Sequence, residues 1–289
     1  MNSATKTTVI SRIKVGSILR YVLLTVVAFF MLYPILWLLG ASFKTNAEIF
    51  TSIGFFPKSI SFDAYVKGWQ TGTEYTFTTY FANTFKIVMP KVIFTVVSCT
   101  LTAYGFARFN FPLKSLLFGL LIATLFLPGV VTRIPLYLFW RNLNLLDGYI
   151  PLIANAVLAA EPFFVFMLVQ FLRSIPRDFD EAATIDGCNS LQVLTHILLP
   201  VLRPSLVSVA LFQFVWSMND FLGPLIYISS VEKYPVAIAL KMAMDTSAGV
   251  ISWNQIIAMS LISLLPSIVL FFCASKQFVD GISAGGLKG

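Results

Sequence analysis

Charged residues are scarce in this sequence. Only 11% of its 289 residues are Asp, Glu, Lys or Arg, whereas 57% are hydrophobic and the mean hydropathy is +0.84. A soluble domain carries about 25% charged residues, which cover its surface with groups that water solvates. The composition therefore excludes a water-soluble globular protein and indicates an integral membrane protein.

The residues that build metal, disulfide and catalytic sites are equally few. His196 is the single histidine, and the cysteines Cys99, Cys188 and Cys273 lie far apart. The sequence has no metal-binding cluster, no HExxH motif and no acids paired at catalytic spacing within its apolar runs. We therefore expect no enzyme activity, disulfide framework or metal site on this chain.

Nucleotide and nucleic-acid binding are also disfavoured. The tail GISAGGLKG (281–289) is superficially similar to a phosphate-binding loop, but Leu287 separates Gly286 from Lys288 and no Ser or Thr follows. The net charge of +7 is spread along the chain rather than gathered into a basic stripe with interleaved aromatics. We expect neither ATP nor nucleic acid to bind this chain.

Long apolar runs fill most of the sequence. An apolar run of about 18 or more residues predicts a transmembrane helix, and no alternation typical of a membrane β-barrel is present. Pro128, Gly129 and Pro135 predict that the third run kinks or ends near the membrane surface. We predict an all-α membrane protein with six spans, at 21–43, 92–107 (beginning beside Lys91), 115–132, 148–172 (around Glu161), 205–231 (around Asp220) and 246–275.

The spans divide the chain into a short basic N-terminal segment (1–20), one membrane domain (21–275) and a C-terminal tail (276–289). Six spans place both termini on the same side as the 174–204 loop. That side carries eleven basic residues: Lys6, Arg12, Lys14, Arg20, Arg108, Lys114, Arg173, Arg177, Arg203, Lys276 and Lys288. The opposite side carries seven: Lys44, Lys58, Lys67, Arg133, Arg141, Lys233 and Lys241. Because loops rich in Lys and Arg stay in the cytoplasm, we expect both termini there.

The 174–204 loop, here called the acidic loop, is the most polar element between two spans. Pro176 suits a first helical turn, and Asp178, Asp180 and Glu181 follow where a helix dipole favours negative charge. Gly187 suits the left-handed residue that ends a helix. A short helix that ends at Gly187 is therefore predicted.

One face of this helix is predicted to be thin. Phe179, Ala182, Ala183 and Asp186 recur at helical spacing, so they share one face. The two alanines would allow another surface to approach the backbone closely. The structural alternative is an ordinary solvated loop helix.

A second helix is predicted to follow. Asn189 can cap it, with Gln192 at the reciprocal position of a capping box. Pro200 and Pro204 are expected to end it before the fifth span begins. Its apolar stripe comprises Leu191, Leu194 and Leu198.

Ionisable residues inside predicted spans are functional candidates, because charge is costly in lipid. Four residues of the fifth run share a predicted helical face that could line a translocation pathway: Trp216, Asn219, Asp220 and Gly223. The alternative is a polar contact between packed helices or with a second subunit. For Glu161, which precedes Pro162, helix packing or water contact is favoured over a proton relay.

The acidic loop resembles the EAA loop of bacterial ABC importer permeases, and the lead-in FLRSIPRDFDEAA resembles the carbohydrate-importer branch, the smaller permease of maltose-type systems. Similar segments follow the same order along the chain: AYGFARF (103–109), IPLY (134–137), NDFLGPL (219–225) and the tail at 281–289. The positions that carry the EAA resemblance are Glu181, Ala182, Ala183, Asp186, Gly187, Ile197, Leu199, Pro200 and Pro204.

The resemblance implies a type I ABC importer transmembrane domain in the bacterial inner membrane. A second homologous permease would complete a heterodimer, two ATPase subunits would bind ATP and Mg²⁺, and an external binding protein would deliver a sugar. The acidic loop would be the coupling loop, with Glu181 pairing with a basic residue of the ATPase and the tail reaching the same interface. ATPase docking would involve Glu181, Ala182, Ala183, Asp186, Gly187, Leu199 and Pro200.

A secondary transporter or channel acting alone is the main alternative. It predicts inverted repeats and paired broken helices in two halves of the chain, which the sequence does not show, and it leaves the acidic loop unexplained. Arg133 and Arg141 suit an acidic sugar as well as they suit membrane anchoring, so the sugar stays open.

Overall fold

The computed structural model of the chain describes residues 15–52, 54–70, 74–245 and 251–286. Within these ranges the structure consists of helices and their connections, with no β-strand. Most of the predicted N-terminal segment, the beginning of the sixth predicted run and the last three residues of the tail lie outside the described residues.

The described residues of the first half form eight helices. They are α1 (Val15–Ala41), α2 (Asn46–Thr51), α3 (Asp63–Trp69), α4 (Phe77–Arg108), α5 (Lys114–Thr124), α6 (Gly129–Asn142), α7 (Ile150–Val157) and α8 (Pro162–Ser174).

The second half begins with the acidic loop. Its elements are α9 (Asp178–Ile185), α10 (Ser190–Gln192), a π-helical turn (Val193–Leu198) and α11 (Leu199–Met218). The chain ends with α12 (Leu222–Tyr227), a 3₁₀ turn (Val231–Lys233), α13 (Val236–Ala243) and α14 (Trp253–Gly286).

Five helical segments among the described residues are long and apolar enough to cross a membrane: Gly16–Ala41, Phe77–Arg108, Ile150–Ser174, Ser190–Met218 and Trp253–Ser275. The pair α5 and α6 is the sixth candidate, but its two helices meet at an angle of 102°. The all-helical fold is thus confirmed, and so is the predicted break at Pro128 and Gly129, although the run 115–132 does not form one continuous helix. Pro128, which has no amide hydrogen, stands at the start of α6 and separates the two helices.

The fifth span corrects a second prediction. Pro200 and Pro204 do not end the helix, which continues from Ser190 to Met218. A proline ring normally collides with the carbonyl four residues earlier. Here the wider π-helical turn at Val193–Leu198 precedes Pro200, and Pro200 occupies the first turn of α11, where a missing amide hydrogen costs little.

Helix α4 is the central element of the bundle, since it packs against α7, α8, α11 and α13. The largest core cluster lies at the acidic-loop end, where Phe164, Leu168 and Leu172 of α8 meet Leu198 and Leu202. Two smaller clusters stabilise the opposite end, one around Met259 and the other around Trp140. The acidic loop is therefore anchored on the best-packed part of the chain.

Helix α1 stands almost alone. No residue in its most apolar window is buried by the other described residues. Its C-terminal end is packed, because Ala41 and Ser42 are fully buried and the helix contacts α14. The contacts that hold the helix to the bundle therefore lie near this end.

Candidate functional site: the acidic loop and the charged cavity

The acidic loop folds as two short helices around Gly187. Acidic residues occupy the first turn of α9, as the sequence predicts. Gly187 has φ +88°, which confirms the left-handed turn. Asn189 Oδ1 accepts from the Gln192 amide at 2.9 Å while Gln192 Oε1 accepts from the Asn189 amide at 2.8 Å, which confirms the predicted capping box.

The residues predicted to share one face of α9 differ in burial. Ala183 is only 5% exposed and packs in the core cluster with Leu194 and Leu198, so it cannot offer a surface to another protein. Asp186 follows the last helical residue and caps the helix instead of lying on it. The helix places Ala183 and Ala182 about 100° apart, so the two alanines do not form one thin surface.

The outward face of α9 is both apolar and acidic. Ile185 is 86% exposed, and Phe179, Glu181 and Ala182 are also exposed. Among the other predicted docking residues, Pro200 is exposed and Leu199 is half-buried against the core. Leu191 departs from the predicted apolar stripe, since it is 63% exposed at the start of the second helix, where the core ends.

An ion pair that the sequence analysis did not anticipate holds the loop. Arg108, at the end of α4, places Nε 2.7 Å from Asp180 Oδ2, and its Nη2 donates to the Ile175 carbonyl at 3.2 Å. Tyr104 Oη donates to the Ser190 carbonyl at 2.9 Å. In the sequence, Arg108 is marked only by its positive charge and by its place in AYGFARF, one of the resembling segments, and that place is the signal that points to a role at the loop.

An open cavity of about 550 Å³ lies beside this ion pair. Its lining combines basic, acidic and polar groups, including Arg108, Arg177, Asp180, Glu181 and Asn189. Glu181, Thr184 and Ile185 of α9 also line it, so the acidic loop presents a concave surface of mixed polar and apolar groups.

The polar residues of the fifth span do not share one helical face. Helix α11 ends at Met218, so Asn219 and Asp220 lie in a break before α12. Asn219 Nδ2 donates to the Val215 carbonyl at 2.8 Å, and Asp220 Oδ1 accepts from the Gly223 amide at 3.1 Å. The sequence prediction assumed a continuous helix, which ends before Asn219.

Two of these predicted pathway residues have clear packing roles. Trp216 lies against the rings of Phe163 and Phe164, with centroids 5.4 and 5.1 Å away. Gly223 is buried, and a Cβ there would come 2.5 Å from Asp220 Oδ2 and 2.9 Å from Leu152 Cδ2. Gly223 thus permits the close turn at Asp220.

Three ionisable residues gather within the bundle. Lys91 of α4 and Asp220 line one small cavity, and Glu161 lies within electrostatic range of both. Glu161 and Asp220 each stand at a helix break, while Lys91 follows Pro90 within α4. We call the cavity that Lys91 and Asp220 line, together with the neighbouring Glu161, the charged cavity. At about 10 Å³ it holds roughly one water molecule and no sugar.

Known proteins resemble this chain over most of its length. The family described as binding-protein-dependent transport system inner membrane component matches residues 97–278. A sulfoquinovosyl glycerol transport system permease protein of Agrobacterium fabrum is 29% identical over 95% of each chain. A galactooligosaccharides transport system permease protein of Bacillus subtilis is 30% identical and covers 93% of this chain and 94% of its own.

A solved structure has the same fold. It is the crystal structure of a bacterial ABC transporter involved in the import of the acidic polysaccharide alginate, and one of its chains matches with a TM-score of 0.80 at 23% identity. The match covers 94% of this chain and 100% of that chain. Since the family match spans more than half of the sequence and includes the acidic loop, the chain belongs to the family of binding-protein-dependent transport system inner membrane components.

Proposed function

We propose that this chain is a permease subunit of an ATP-driven importer of sugars or oligosaccharides. Family membership supports a transport subunit, and several relatives are named for saccharides: sulfoquinovosyl glycerol, diacetylchitobiose, arabinooligosaccharides and galactooligosaccharides. An external binding protein delivers the sugar, and the chain carries it into the cytoplasm together with a second permease.

The observation that carries the proposal is the exposed face of α9. Glu181 and Ala182 are solvent-accessible beside exposed Ile185, on a loop that is fixed to the bundle by buried contacts. Exposed apolar residues grouped with a charge are typical of a surface that another protein covers. We infer that a cytoplasmic ATPase subunit docks here through Glu181, Ala182, Asp186, Gly187 and Pro200, and that it binds the ATP and Mg²⁺.

The charged cavity supports a second permease. Lys91, Glu161 and Asp220 are each only partly buried by this chain, although they lie in or between membrane spans. Charges at this depth face other protein or a water-filled path, because contact with lipid costs several kcal/mol, on the order of 3 for each charged residue. A homologous permease that packs over this region would enclose the translocation pathway between the two chains.

The basic residues define the orientation in this proposal. Both termini and the acidic loop lie in the cytoplasm, and the bundle crosses the bacterial inner membrane, with lipid covering its apolar surface. A docked ATPase on the cytoplasmic side can then move the acidic loop, while the binding protein meets the opposite end.

The test is transport by the reconstituted complex. The chain, its second permease, the ATPase and the binding protein are placed in proteoliposomes, and uptake of radiolabelled galacto-, arabino- and chito-oligosaccharides and of alginate oligosaccharides is measured with and without ATP. ATP-dependent uptake of one class is expected. Uptake by the chain alone, driven by a proton gradient without ATPase, would instead establish the secondary-transporter alternative.

The docking surface is tested in the same complex. Glu181→Lys is expected to lower the amount of ATPase that co-purifies by about tenfold or more, because it reverses the charge on the docking face. Asp245→Lys, the same charge change at the opposite end of the bundle, is the matched control and should leave co-purification unchanged. Normal assembly and uptake in Glu181→Lys would remove Glu181 from the interface.

A further inference from the structure

Helix α4 contacts the acidic loop at three successive points. The Arg108 guanidinium binds the Ile175 carbonyl before α9 and the Asp180 carboxylate within it. Tyr104 Oη binds the Ser190 carbonyl after Gly187. Two side chains from the last turns of one helix therefore hold the entry, the body and the exit of the loop.

These contacts are largely removed from water. The Arg108 side chain is 7% exposed and that of Asp180 is 21% exposed. The exposed pair Lys67–Asp63 differs, since its side chains are 67% and 74% exposed. Removing one partner of a buried pair leaves an uncompensated charge, whereas an exposed pair contributes little. The Arg108–Asp180 pair therefore joins α4 to the loop at a place where loss of either partner would leave a buried charge uncompensated.

Two routes connect the acidic loop to the charged cavity. The first is covalent: the helix from Ser190 continues to Met218, and Asp220 follows it. The second runs through α4, where Lys91 lies 17 residues before Arg108, about 25 Å along a helix. Lys91 and Asp220 line the same cavity. The covalent route therefore ends at Asp220 on one side of the cavity, and the route through α4 ends at Lys91 on the other.

The covalent route contains a compliant segment. Residues Val193–Leu198 form a π-helical turn, and Pro200 and Pro204 follow, so hydrogen bonds of the regular helix are missing at several steps. Helix α4 packs against α7, α8, α11 and α13 and also touches α3 and the 3₁₀ turn at Val231–Lys233, and Pro90 is the one proline within it. The compliant segment can absorb part of a loop displacement before it reaches Asp220. The connection through α4 is therefore needed if Lys91 and Asp220 are to move together.

We propose that Arg108 is a positioning residue that couples the acidic loop to α4, acting through Asp180. When the docked ATPase displaces the loop, the Arg108–Asp180 pair transmits the displacement to α4 and so to Lys91, while α11 transmits it to Asp220. Without the pair, the ATPase still binds α9, but the displacement of the loop reaches Asp220 and not Lys91. This inference rests on the proposed function, in that it requires an ATPase at the acidic loop.

The test compares transport with hydrolysis in the reconstituted complex, using the labelled saccharide that the wild-type complex imports. Arg108→Gln and Asp180→Asn are expected to lower the sugar imported per ATP hydrolysed by about tenfold, within the usual range of coupling between sites. The ATPase should still co-purify in the wild-type amount. The charge exchange Arg108→Asp with Asp180→Arg should recover most of the ratio, and Arg203→Gln, an exposed arginine at the same end, should not change it.

A second measurement needs no sugar. Nitroxide labels at Ile93 of α4 and Leu222 of α12, both exposed, are introduced after the three native cysteines have been replaced. Addition of ATP and vanadate should change the distance distribution between the labels in the wild-type complex. In Arg108→Gln this change should be reduced or absent.

The outcomes separate the two proposals. Wild-type transport per ATP in Arg108→Gln overturns the coupling role. Loss of ATPase association in Arg108→Gln, without recovery in the charge exchange, also overturns it, because the residue would then only fold the loop. Absence of ATP-dependent uptake in the wild-type complex overturns the proposed function itself, whatever Arg108 does.

Discussion

Two ion pairs hold opposite ends of the bundle, and they differ in how completely their groups are bonded. At the end opposite the acidic loop, Asp147 Oδ1 accepts from the Ser229 and Ser230 amides at 3.0 and 2.8 Å. Its Oδ2 accepts from Ser230 Oγ at 2.6 Å and from Lys233 Nζ at 2.8 Å. Both oxygens of this carboxylate are satisfied, so the turn at Val231–Lys233 is joined firmly to the loop before α7.

The pair at the acidic loop is less complete. Arg108 Nε lies close to Asp180 Oδ2 as an ion pair rather than as a well-aligned hydrogen bond, and the buried Asp180 Oδ1 has no hydrogen-bond partner within the described residues. An open cavity lies beside it. The comparison shows that the Asp147 joint is complete within one chain, whereas the acidic-loop joint retains bonding capacity where a second protein is proposed to dock.

The largest expected effect on stability comes from removing the fully hydrogen-bonded carboxylate of Asp147. Asp147→Ala removes the acceptor of four hydrogen bonds, two from amides, one from a hydroxyl and one from an ammonium, and should lower the free energy of unfolding by about 2 to 3 kcal/mol. Ser230→Ala, which keeps the backbone bond to Asp147 and removes only its hydroxyl donor, should cost about 1 kcal/mol. Denaturant titration of the detergent-solubilised chain measures both; equal losses in the two variants would contradict the complete-joint interpretation.

The same carboxylate predicts how this difference depends on pH. The hydrogen bond from Lys233 and then that from Ser230 hold the pKa of Asp147 well below its ordinary value. A group whose pKa is lowered in the folded state stabilises the protein above the unfolded pKa, about 3.9 for Asp, and loses that contribution as the pH falls towards the folded value. The stability difference between wild type and Asp147→Ala should stay constant from pH 8 to pH 5 and shrink below about pH 4.

An intermediate effect is expected at Gly187 in the acidic loop. Its φ is +88°, and a Cβ at this position would meet no atom within 4 Å, so only the backbone conformation opposes a side chain. Gly187→Ala should destabilise the loop by about 1 to 2 kcal/mol. Gly187→Asn should cost less, because asparagine tolerates the left-handed region. Hydrogen exchange of residues 182–192 measures both, and equal protection in all three proteins would show that the turn is not constrained.

The smallest effect is expected from Glu181→Lys in the isolated chain. Glu181 is exposed, and surface substitutions of this kind usually change stability by less than about 0.5 kcal/mol. The denaturation midpoint of the lone chain should therefore match the wild type, even though assembly with the ATPase is reduced. A large loss of stability would mean that Glu181 supports the fold, and the docking experiment would need a different residue.

Local features were predictable, and features that depend on distant contacts were not. The Gly187 turn and the Asn189 capping box follow from a few adjacent residues, and the spans follow from run length. The continuation of the fifth span through Pro200 and Pro204 depends on a π-helical turn that has no sequence signature. The pairing of Arg108 with Asp180 and the meeting of Lys91 with Asp220 join residues more than 70 positions apart, which a single sequence does not relate.

The sequence also could not predict which residues of the acidic loop are buried. Ala182 and Ala183 are identical in type and adjacent, yet the core cluster of α8 and α11 covers one and leaves the other exposed. Only the direction in which the loop packs distinguishes them. The docking prediction is therefore sharper with Ala183 removed and with Phe179 and Ile185 considered beside Glu181.

The bare surface of α1 has a consequence for how the chain enters and senses the membrane. A helix of 27 residues is about 40 Å long, longer than the roughly 30 Å of hydrocarbon it crosses. Because its apolar length makes few contacts with the other described residues, α1 can insert into the bilayer without the support of the rest of the bundle. The bilayer, rather than the protein core, then determines how far α1 tilts about its packed C-terminal end, and its angle varies with the thickness of the lipid.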